Sequence, residues 1–282
     1  MRILQNKHCI IGEGPIYNVF EQRLYQVNGM ANEILCIDPE TGECLTRCLP
    51  FPVSAIAFSK DNRMLISCPD GVFCLDRDGT RTPLYDTSRF SIRYANDMKV
   101  GPDGRLYVGT QSEKRKGTGP SVDGKLYAIS SDGSVQVLLD GFILSNGLEF
   151  SLDEKRLYHT DSDTDIIKEY LLDPETGNIS FTGRAVEVGG VDGFTIGKNG
   201  YLYVGCWGRG HIAVVDTEDM SVVDHIPVPA SIPASCTFFG KEMNELAIVT
   251  ASYGTDISVD TLAGFTFGYT TDTLGRVPYL FE

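Results

Sequence analysis

Short apolar stretches alternate with polar turns along the chain, and one arrangement recurs. Its clearest copy has apolar stretches at Phe194–Ile196 and Tyr201–Val204 around a turn at Lys198–Gly200, with Asp192 just before the first stretch. Two short apolar runs flanking a glycine-containing turn are typical of a β-hairpin. No segment shows a long amphipathic helical period, which argues against an α/β barrel or a doubly wound sheet. The pattern predicts an all-β fold.

The hairpin pattern occurs six times. The first apolar residues of the six second strands are Leu24, Met64, Leu106, Leu157, Leu202 and Leu246. They are spaced by 40, 42, 51, 45 and 44 residues, close to the roughly 40 to 50 residues of a four-stranded propeller blade. Further strand candidates lie between the copies, so each repeat has room for two hairpins. We predict that residues 1–282 form a single six-bladed β-propeller domain.

The last repeat is one strand short. It has room for strands near Cys236–Phe239, Leu246–Ala251 and Ala263–Tyr269, and a blade needs four. The segment Arg2–Cys9 precedes the first repeat and can supply the missing strand. We predict that this N-terminal strand closes the final blade, because closure removes an exposed sheet edge.

Bulk properties limit the partners. The net charge of −14 disfavours a nucleic acid or an anionic membrane surface, since either would be repelled. No apolar run is long enough to span a bilayer and no leader-like segment begins the chain, so we expect a cytoplasmic protein. The eight cysteines form no CxxC pair, and we expect buried thiols rather than disulfides or a zinc knuckle.

Aligned repeats place one polar position at the start of each first strand. These positions are Glu13, Ser54, Asn96, Asn146, Asp192, and Ser235 or Cys236. The first strand of each propeller blade lines the central channel, so the six positions form a ring. Asn or Asp before glycine is commonly a turn residue, but Glu13 between two glycines is not explained that way. Four carboxylates or carboxamides converging on one axis favour a binding site.

Two carboxylates at a channel mouth repel each other and raise each other's pKa unless a cation lies between them. The ring donors are all oxygen, because no His or Cys of the first five repeats falls at a ring position. Hard oxygen donors favour Ca²⁺, Mg²⁺ or Mn²⁺ over zinc. His8, His159, His211 and His225 are therefore not expected to be catalytic.

Several ordered motifs resemble the senescence marker protein, gluconolactonase and luciferin-regenerating enzyme family. The resemblance covers essentially the whole chain, and its motifs are Gly12–Pro15, Asn96–Arg105, Gly109–Thr110, Ser145–Leu148 with Asp161–Ser162, Asp192–Gly193, Gly200–Val204 and Ala263–Phe267. It implies a six-bladed propeller with one divalent metal, calcium or zinc among others, held by Glu13, Asn146 and Asp192. It also implies that Asn96 contacts the substrate.

Three positions depart from the family pattern. Gln26 and Gln111 stand where the family often has Trp and Met, and Arg93 lies three residues before Asn96 rather than two. We keep Arg93 as a candidate substrate-binding residue. The departures concern substrate recognition more than the metal, so the sugar-lactone substrate is the less firmly supported part of the resemblance.

The resemblance implies a metal-dependent lactonase in which Asp192 is the general base for attack of water on a lactone or ester. Two alternatives stay open: a hydrolase of other esters or organophosphate-like substrates, and a non-catalytic calcium-binding or ligand-binding propeller. Gln111–Gly124, in the longest repeat, is read either as a substrate lid or as a solvated loop containing Lys114–Lys116. Trp207 and the pair Asp161 and Asp163 are read as structural, the first in packing or a turn and the pair in turn capping.

Overall fold

The computed structural model describes residues 1–113 and 122–282, and this part of the chain contains 24 strands, two 3₁₀ turns (Gly29–Ala31 and Ser162–Thr164) and no α-helix. The chain begins with β1 (Arg2–Gln5). Blade 1 follows with β2 (Gly12–Asn18), β3 (Arg23–Asn28), β4 (Glu33–Ile37) and β5 (Cys44–Cys48). Blade 2 comprises β6 (Ala55–Phe58), β7 (Met64–Cys68), β8 (Gly71–Leu75) and β9 (Arg81–Pro83).

The next three blades repeat this order. Blade 3 comprises β10 (Ala95–Val100), β11 (Leu106–Thr110), β12 (Gly124–Ile129) and β13 (Val135–Phe142). Blade 4 comprises β14 (Ser145–Phe150), β15 (Arg156–Asp161), β16 (Ile166–Leu172) and β17 (Ile179–Glu187). Blade 5 comprises β18 (Val191–Ile196), β19 (Tyr201–Cys206), β20 (His211–Asp216) and β21 (Ser221–Pro227).

Blade 6 is completed by the start of the chain. It comprises β22 (Pro233–Phe239), β23 (Glu245–Thr250) and β24 (Thr266–Thr270), with β1 paired antiparallel to β24 as its fourth strand. Six antiparallel four-stranded sheets therefore surround one channel. The predicted six-bladed β-propeller, closed by the N-terminal strand, is confirmed.

Burial explains why the first strands lack a simple alternation of apolar and polar residues. Strands β6, β14, β18 and β22 are buried at every position, because both faces of each sheet are covered by neighbouring blades. The outer strands are half-exposed, as in β13 and β17. The core consists of apolar clusters packed between adjacent blades.

The closing strand is shorter than predicted. Its ladder ends at Gln5 rather than Cys9, where the Gln5 amide donates to the Gly264 carbonyl at 3.2 Å and the Thr266 hydroxyl at 3.0 Å. Strand β24 correspondingly begins at Thr266, not Ala263. Gly264 has a φ of +83° and a Cβ there would contact the Cys9 backbone, so this stretch turns instead of extending the ladder.

The expectation of buried thiols is wrong for three cysteines. All eight are free, but Cys48 is exposed and Cys36 and Cys44 are half-buried. Cys44 and Cys48 lie on β5, the outermost strand of blade 1, where one face of the sheet meets solvent.

No helix among residues 1–113 and 122–282 is long and apolar enough to cross a membrane.

The predicted lid segment Gln111–Gly124 connects β11 to β12, the second and third strands of blade 3. Gln111 forms an isolated bridge with Leu144 of the next blade. Residues 114–121, and with them the Lys114–Lys116 cluster, lie outside the described residues.

Residues 271–282, called the C-terminal segment below, cross the channel mouth at which the first strands end. The Gly275 amide donates to Met243 of blade 6 at 2.6 Å, and the Leu274 carbonyl accepts from Lys198 of blade 5 at 2.7 Å. Arg276 donates to the Phe150 carbonyl of blade 4 at 3.1 Å. Further along, backbone hydrogen bonds join Phe281 to blade 2 and Glu282 to blade 3. The C-terminal segment thus ties five blades together.

We expect deletion of residues 1–9 to lower the melting temperature sharply, because β24 would lose its partner and the buried Leu4 and Cys9 would be removed. Leu4→Ala alone should cost about 2–5 kcal/mol of unfolding free energy, the usual range for a buried leucine. The exposed neighbour is the matched control: Ile3→Ala should stay within about 0.5 kcal/mol. Thermal unfolding followed by circular dichroism measures both, and a deletion that leaves the melting temperature unchanged would rule out this closure.

Candidate functional site at the channel mouth

The ring residues lie in bulges of the first strands. The β2–β3 register shifts between Glu13 and Ile16, and the β10–β11 register shifts between Ala95 and Met98. Equivalent shifts bracket Asn146 in β14 and Asp192 in β18. A bulge leaves a residue unpaired and re-aims its side chain. Asn96, Asn146 and Asp192 are therefore free of regular ladder pairing at the mouth where the first strands begin, and Glu13, which pairs with Val27, is the last paired residue before the shift in β2.

Glycines allow the first strands to approach each other. A Cβ on Gly147 would overlap the Asp192 carbonyl oxygen and the Phe194 ring, and a Cβ on Gly193 would overlap the Ser235 side chain. Asn146–Gly147 and Asp192–Gly193 are therefore not turn sequences but points of close contact between neighbouring inner strands.

Three of the predicted residues meet directly. Asp192 and Asn146 are 5 % and 7 % exposed. The Asn146 Nδ2 donates to Asp192 Oδ1 in a short hydrogen bond and to the Ser162 hydroxyl at 3.1 Å. The Glu13 and Asp192 side chains also interact, and this interaction lowers the Glu13 pKa against the larger, opposite effect of burial.

Asn96 lies beside this group. Its Nδ2 is 3.2 Å from the Ser145 carbonyl and 3.3 Å from Asn146 Oδ1. The Ser54 hydroxyl, by contrast, contacts Ser67 and the Ala95 carbonyl, and Ser235 packs against Gly193. The carboxyl and amide groups of the ring therefore come from blades 1, 3, 4 and 5, and its two hydroxyl positions come from blades 2 and 6.

Arg93 lies away from the ring. Its guanidinium is largely exposed, with Nη2 4.0 Å from Glu113 Oε1. Tyr94, between Arg93 and the start of β10, has a φ of +56°, a left-handed conformation that costs on the order of 1–3 kcal/mol in a non-glycine residue. Its hydroxyl is 3.3 Å from the same Glu113 oxygen. Sequence reasoning missed Glu113, whose only signal was its position just after Gly109–Thr110.

Two carboxyl groups at the mouth, those of Glu13 and Asp97, have raised pKa values. Burial raises the pKa of Glu13 to about 7, and the nearby negative charge of Asp97 adds to this. Burial likewise raises the pKa of Asp97 to about 6, although Lys99 lowers it in part. Asp97 lines a channel cavity of about 70 Å³, enough for more than one water molecule. It was not predicted, because it is off the aligned ring position by one residue.

His159 supports the ring without joining it. Its Nε2 is 2.7 Å from the Ser145 hydroxyl, next to Asn146. Burial lowers the pKa of His159 to about 4, so the His159 imidazole stays neutral near pH 7. Asp161 accepts from the Ile143 and Leu144 amides at 2.9 and 3.0 Å, which is the turn-capping role expected for it.

The residues present suit a hard divalent cation. Glu13 and Asp192 supply two carboxylates, and a cation between them would relieve their mutual repulsion. Asn146 offers Nδ2 to Asp192 and Oδ1 to Asn96; to act as a ligand, its amide would turn so that Oδ1 faces Asp192. Across residues 1–113 and 122–282, no three or more His, Cys, Asp or Glu side chains form a group that could hold a metal. Any cation here would thus depend on the carboxamide oxygen as well.

A six-bladed propeller with an oxygen-only polar ring at its channel mouth is a known class of protein, and the sequence fits that class. A family model described as "SMP-30/Gluconolactonase/LRE-like region" matches residues 11–252, and the chain belongs to this family.

The similarity to individual relatives extends over most of both chains. YvrE of Bacillus subtilis (strain 168), named provisionally as a sugar lactone lactonase, is 30 % identical over 257 residues, 86 % of this chain and 84 % of that protein. Pentonolactonase XacC of Haloferax volcanii is 28 % identical over 247 residues, 86 % and 82 % of the two chains. A calcium-binding protein, regucalcin, from Agrobacterium tumefaciens superposes with a TM-score of 0.88 at 26 % identity, covering 100 % of this chain and 97 % of that one.

The Glu13 pKa predicts a pH-dependent stability in chelator. The folded pKa of about 7 exceeds the ordinary value of 4.5, so the folded state holds a proton that the unfolded chain releases. That stabilisation is complete below the unfolded pKa and is lost as the pH rises through the folded pKa. Glu13→Gln mimics the protonated form, and it should gain melting temperature relative to the unsubstituted protein between about pH 5 and 8. The exposed substitution Glu43→Gln should show no such trend, and a pH-independent difference for Glu13→Gln would contradict the assignment.

Proposed function

We propose that this protein is a divalent-metal-dependent hydrolase that opens a lactone, sugar-derived as in an aldonolactone, by attack of water. The observation that carries the proposal is the meeting of Glu13, Asp192 and Asn146 in the bulged inner strands at the channel mouth. The names of two relatives, a provisional sugar lactone lactonase and a pentonolactonase, support a sugar-lactone substrate. Ca²⁺ is supported by the oxygen donors and by the regucalcin neighbour, while Mg²⁺, Mn²⁺ and Zn²⁺ are the other candidates.

Each residue has a role in this reaction. A divalent cation held by Glu13, Asn146 and Asp192 would polarise the ester carbonyl and stabilise the developing oxyanion. Asp192 takes a proton from the attacking water as the water oxygen bonds to the carbonyl carbon. The C–O bond of the lactone ring then breaks, and the leaving oxygen takes up the proton that Asp192 received from water, giving a hydroxy acid. Asn96 orients the substrate through its amide, and Arg93 contacts the substrate's distal oxygens from the rim.

A non-catalytic calcium-binding propeller is the second candidate, because the solved neighbour is described as a calcium-binding protein. It would retain the same three ligands. Turnover of a panel of aldonolactones, simple esters and organophosphate esters, with and without chelator, separates the candidates. Calcium binding with no turnover of any ester would favour the binding protein, and turnover of the non-sugar esters alone would exclude the aldonolactone substrate.

Asp192→Asn should reduce lactone hydrolysis by about 100- to 10 000-fold, the range typical of a lost general base. Its melting temperature should not fall by more than a few degrees, because Asn preserves the shape of the side chain. Asp132→Asn, in an exposed turn of blade 3, is the control and should keep full activity. If Asp192→Asn retained full hydrolytic activity, Asp192 would have no part in the mechanism.

A further inference from the structure

Beneath the ring, a buried set of charged side chains joins three inner strands. Lys99 of β10 donates through Nζ to Glu149 Oε2 of β14 at 2.8 Å and to the Phe194 carbonyl of β18 at 3.0 Å. Arg276 of the C-terminal segment donates to Glu149 Oε1 in a short ion pair. We call Lys99, Glu149 and Arg276 the ion layer.

The ion layer lies on the strands that carry the ring. Lys99 follows Asn96 by three residues, Glu149 follows Asn146 by three, and Phe194 follows Asp192 by two. At about 3.3 Å per residue the ion layer is about 7–10 Å along the channel from the ring. One side chain, Lys99, therefore spans three neighbouring strands that each carry a ring residue.

Because of the bulges, the ion layer bears on the positions of the ring residues. Ladder pairing is interrupted at Asn96, Asn146 and Asp192 and resumes at Met98, Leu148 and Phe194, next to the ion layer. These three ring side chains are therefore not held by regular pairing within their own blades. Apart from their direct contacts with each other, the hydrogen bonds of the ion layer are the cross-blade contacts on the same strands that bear on their separation.

Arg276 contributes a second cation to Glu149 from outside the repeats. Glu149 is 3 % exposed, and its carboxylate also accepts from the Phe150 amide at 2.8 Å. Burial alone would raise the pKa of Glu149, but Lys99 and Arg276 outweigh it and hold that pKa below its ordinary value. Arg276 further donates to the Phe150 and Ser151 carbonyls at 3.1 and 3.2 Å, so the C-terminal segment fixes the position of Glu149.

We propose that Lys99, Glu149 and Arg276 are positioning residues, which set the spacing of Asn96, Asn146 and Asp192 and so tune cation affinity at the opposite mouth. The inference rests on the proposed cation site, and it makes the C-terminal segment part of the functional apparatus. It involves no bond making or proton transfer. A removed charge is expected to act on the ring through strand spacing, not through contact with the substrate.

Calcium titration calorimetry on Arg276→Met and Lys99→Met, at a temperature where each variant is fully folded, tests the proposal. We expect the dissociation constant for Ca²⁺ to rise about tenfold, the lower end of the effect of groups that orient metal ligands. Arg276→Lys keeps the charge and should restore most of the affinity. Lys60→Met is the matched control, since it breaks an exposed ion pair with Glu282 of the same C-terminal segment and should leave the affinity unchanged.

A second measurement needs no metal. The side-chain amide resonances of Asn146 in ¹⁵N-labelled protein report its short hydrogen bond to Asp192, and they should move toward free-amide values in Arg276→Met but not in Lys60→Met. A purely structural ion layer would lower the melting temperature while leaving both the calcium affinity and these resonances unchanged, and that result would overturn the proposal. If Lys99→Met fails to fold, Arg276→Met decides. If the unsubstituted protein binds no calcium and hydrolyses no ester, the proposed function fails, and the resonances still decide the positioning role.

Discussion

The close approach of the inner strands is the constraint on which the rest of the site depends. Gly147 and Gly193 lie where any side chain would overlap the neighbouring strand, so the inner strands of blades 4, 5 and 6 are in close contact near the channel mouth. Polar groups from different blades are consequently forced together, and the raised pKa of Glu13 follows from that crowding. The chemistry at the mouth is a result of the packing of the strands behind it.

Within a blade, regular strand pairing and the polar side chains of the site lie in different places. In blades 3, 4 and 5 the first strand bulges at the ring, and its regular pairing with the second strand lies beyond the bulge. Carboxyl groups removed from bulk solvent, such as Glu13 and Asp97, are costly to ionise, and the remainder of the propeller must supply the stability that tolerates them. The apolar clusters between blades supply it.

The sequence predicted the periodic part of the molecule well. Repeat spacing implied six blades because every blade buries the same two hairpins, and the aligned polar positions implied Glu13, Asn96, Asn146 and Asp192 as a ring. Groups outside that alignment were missed. Asp97 is one residue off the ring position, and Arg276 follows the last repeat and meets Glu149 across 127 residues of chain. Such a contact has no local pattern, since only the tertiary fold creates it.

The position of Arg93 shows the same limit in a different form. Its spacing from Asn96 suggested a substrate-binding residue, but it indicated neither the left-handed backbone at Tyr94 nor the approach of Arg93 to Glu113. The end of β1 at Gln5 is a similar case, in which a side-chain amide replaces ladder hydrogen bonds. The position of Arg93 and the end of β1 both depend on the conformation of the adjoining segment, which the sequence pattern does not specify.

The pairing of β1 with β24 also orders events in time. During synthesis β1 leaves the ribosome long before its partner strand β24 exists, so blades 1 to 5 can assemble before the propeller closes. Joining Arg2 to Gly268 is a contact between segments far apart in the chain, the kind of non-local pairing that slows folding. Until β24 has been synthesised, β1 has no partner strand, and the last blade cannot close.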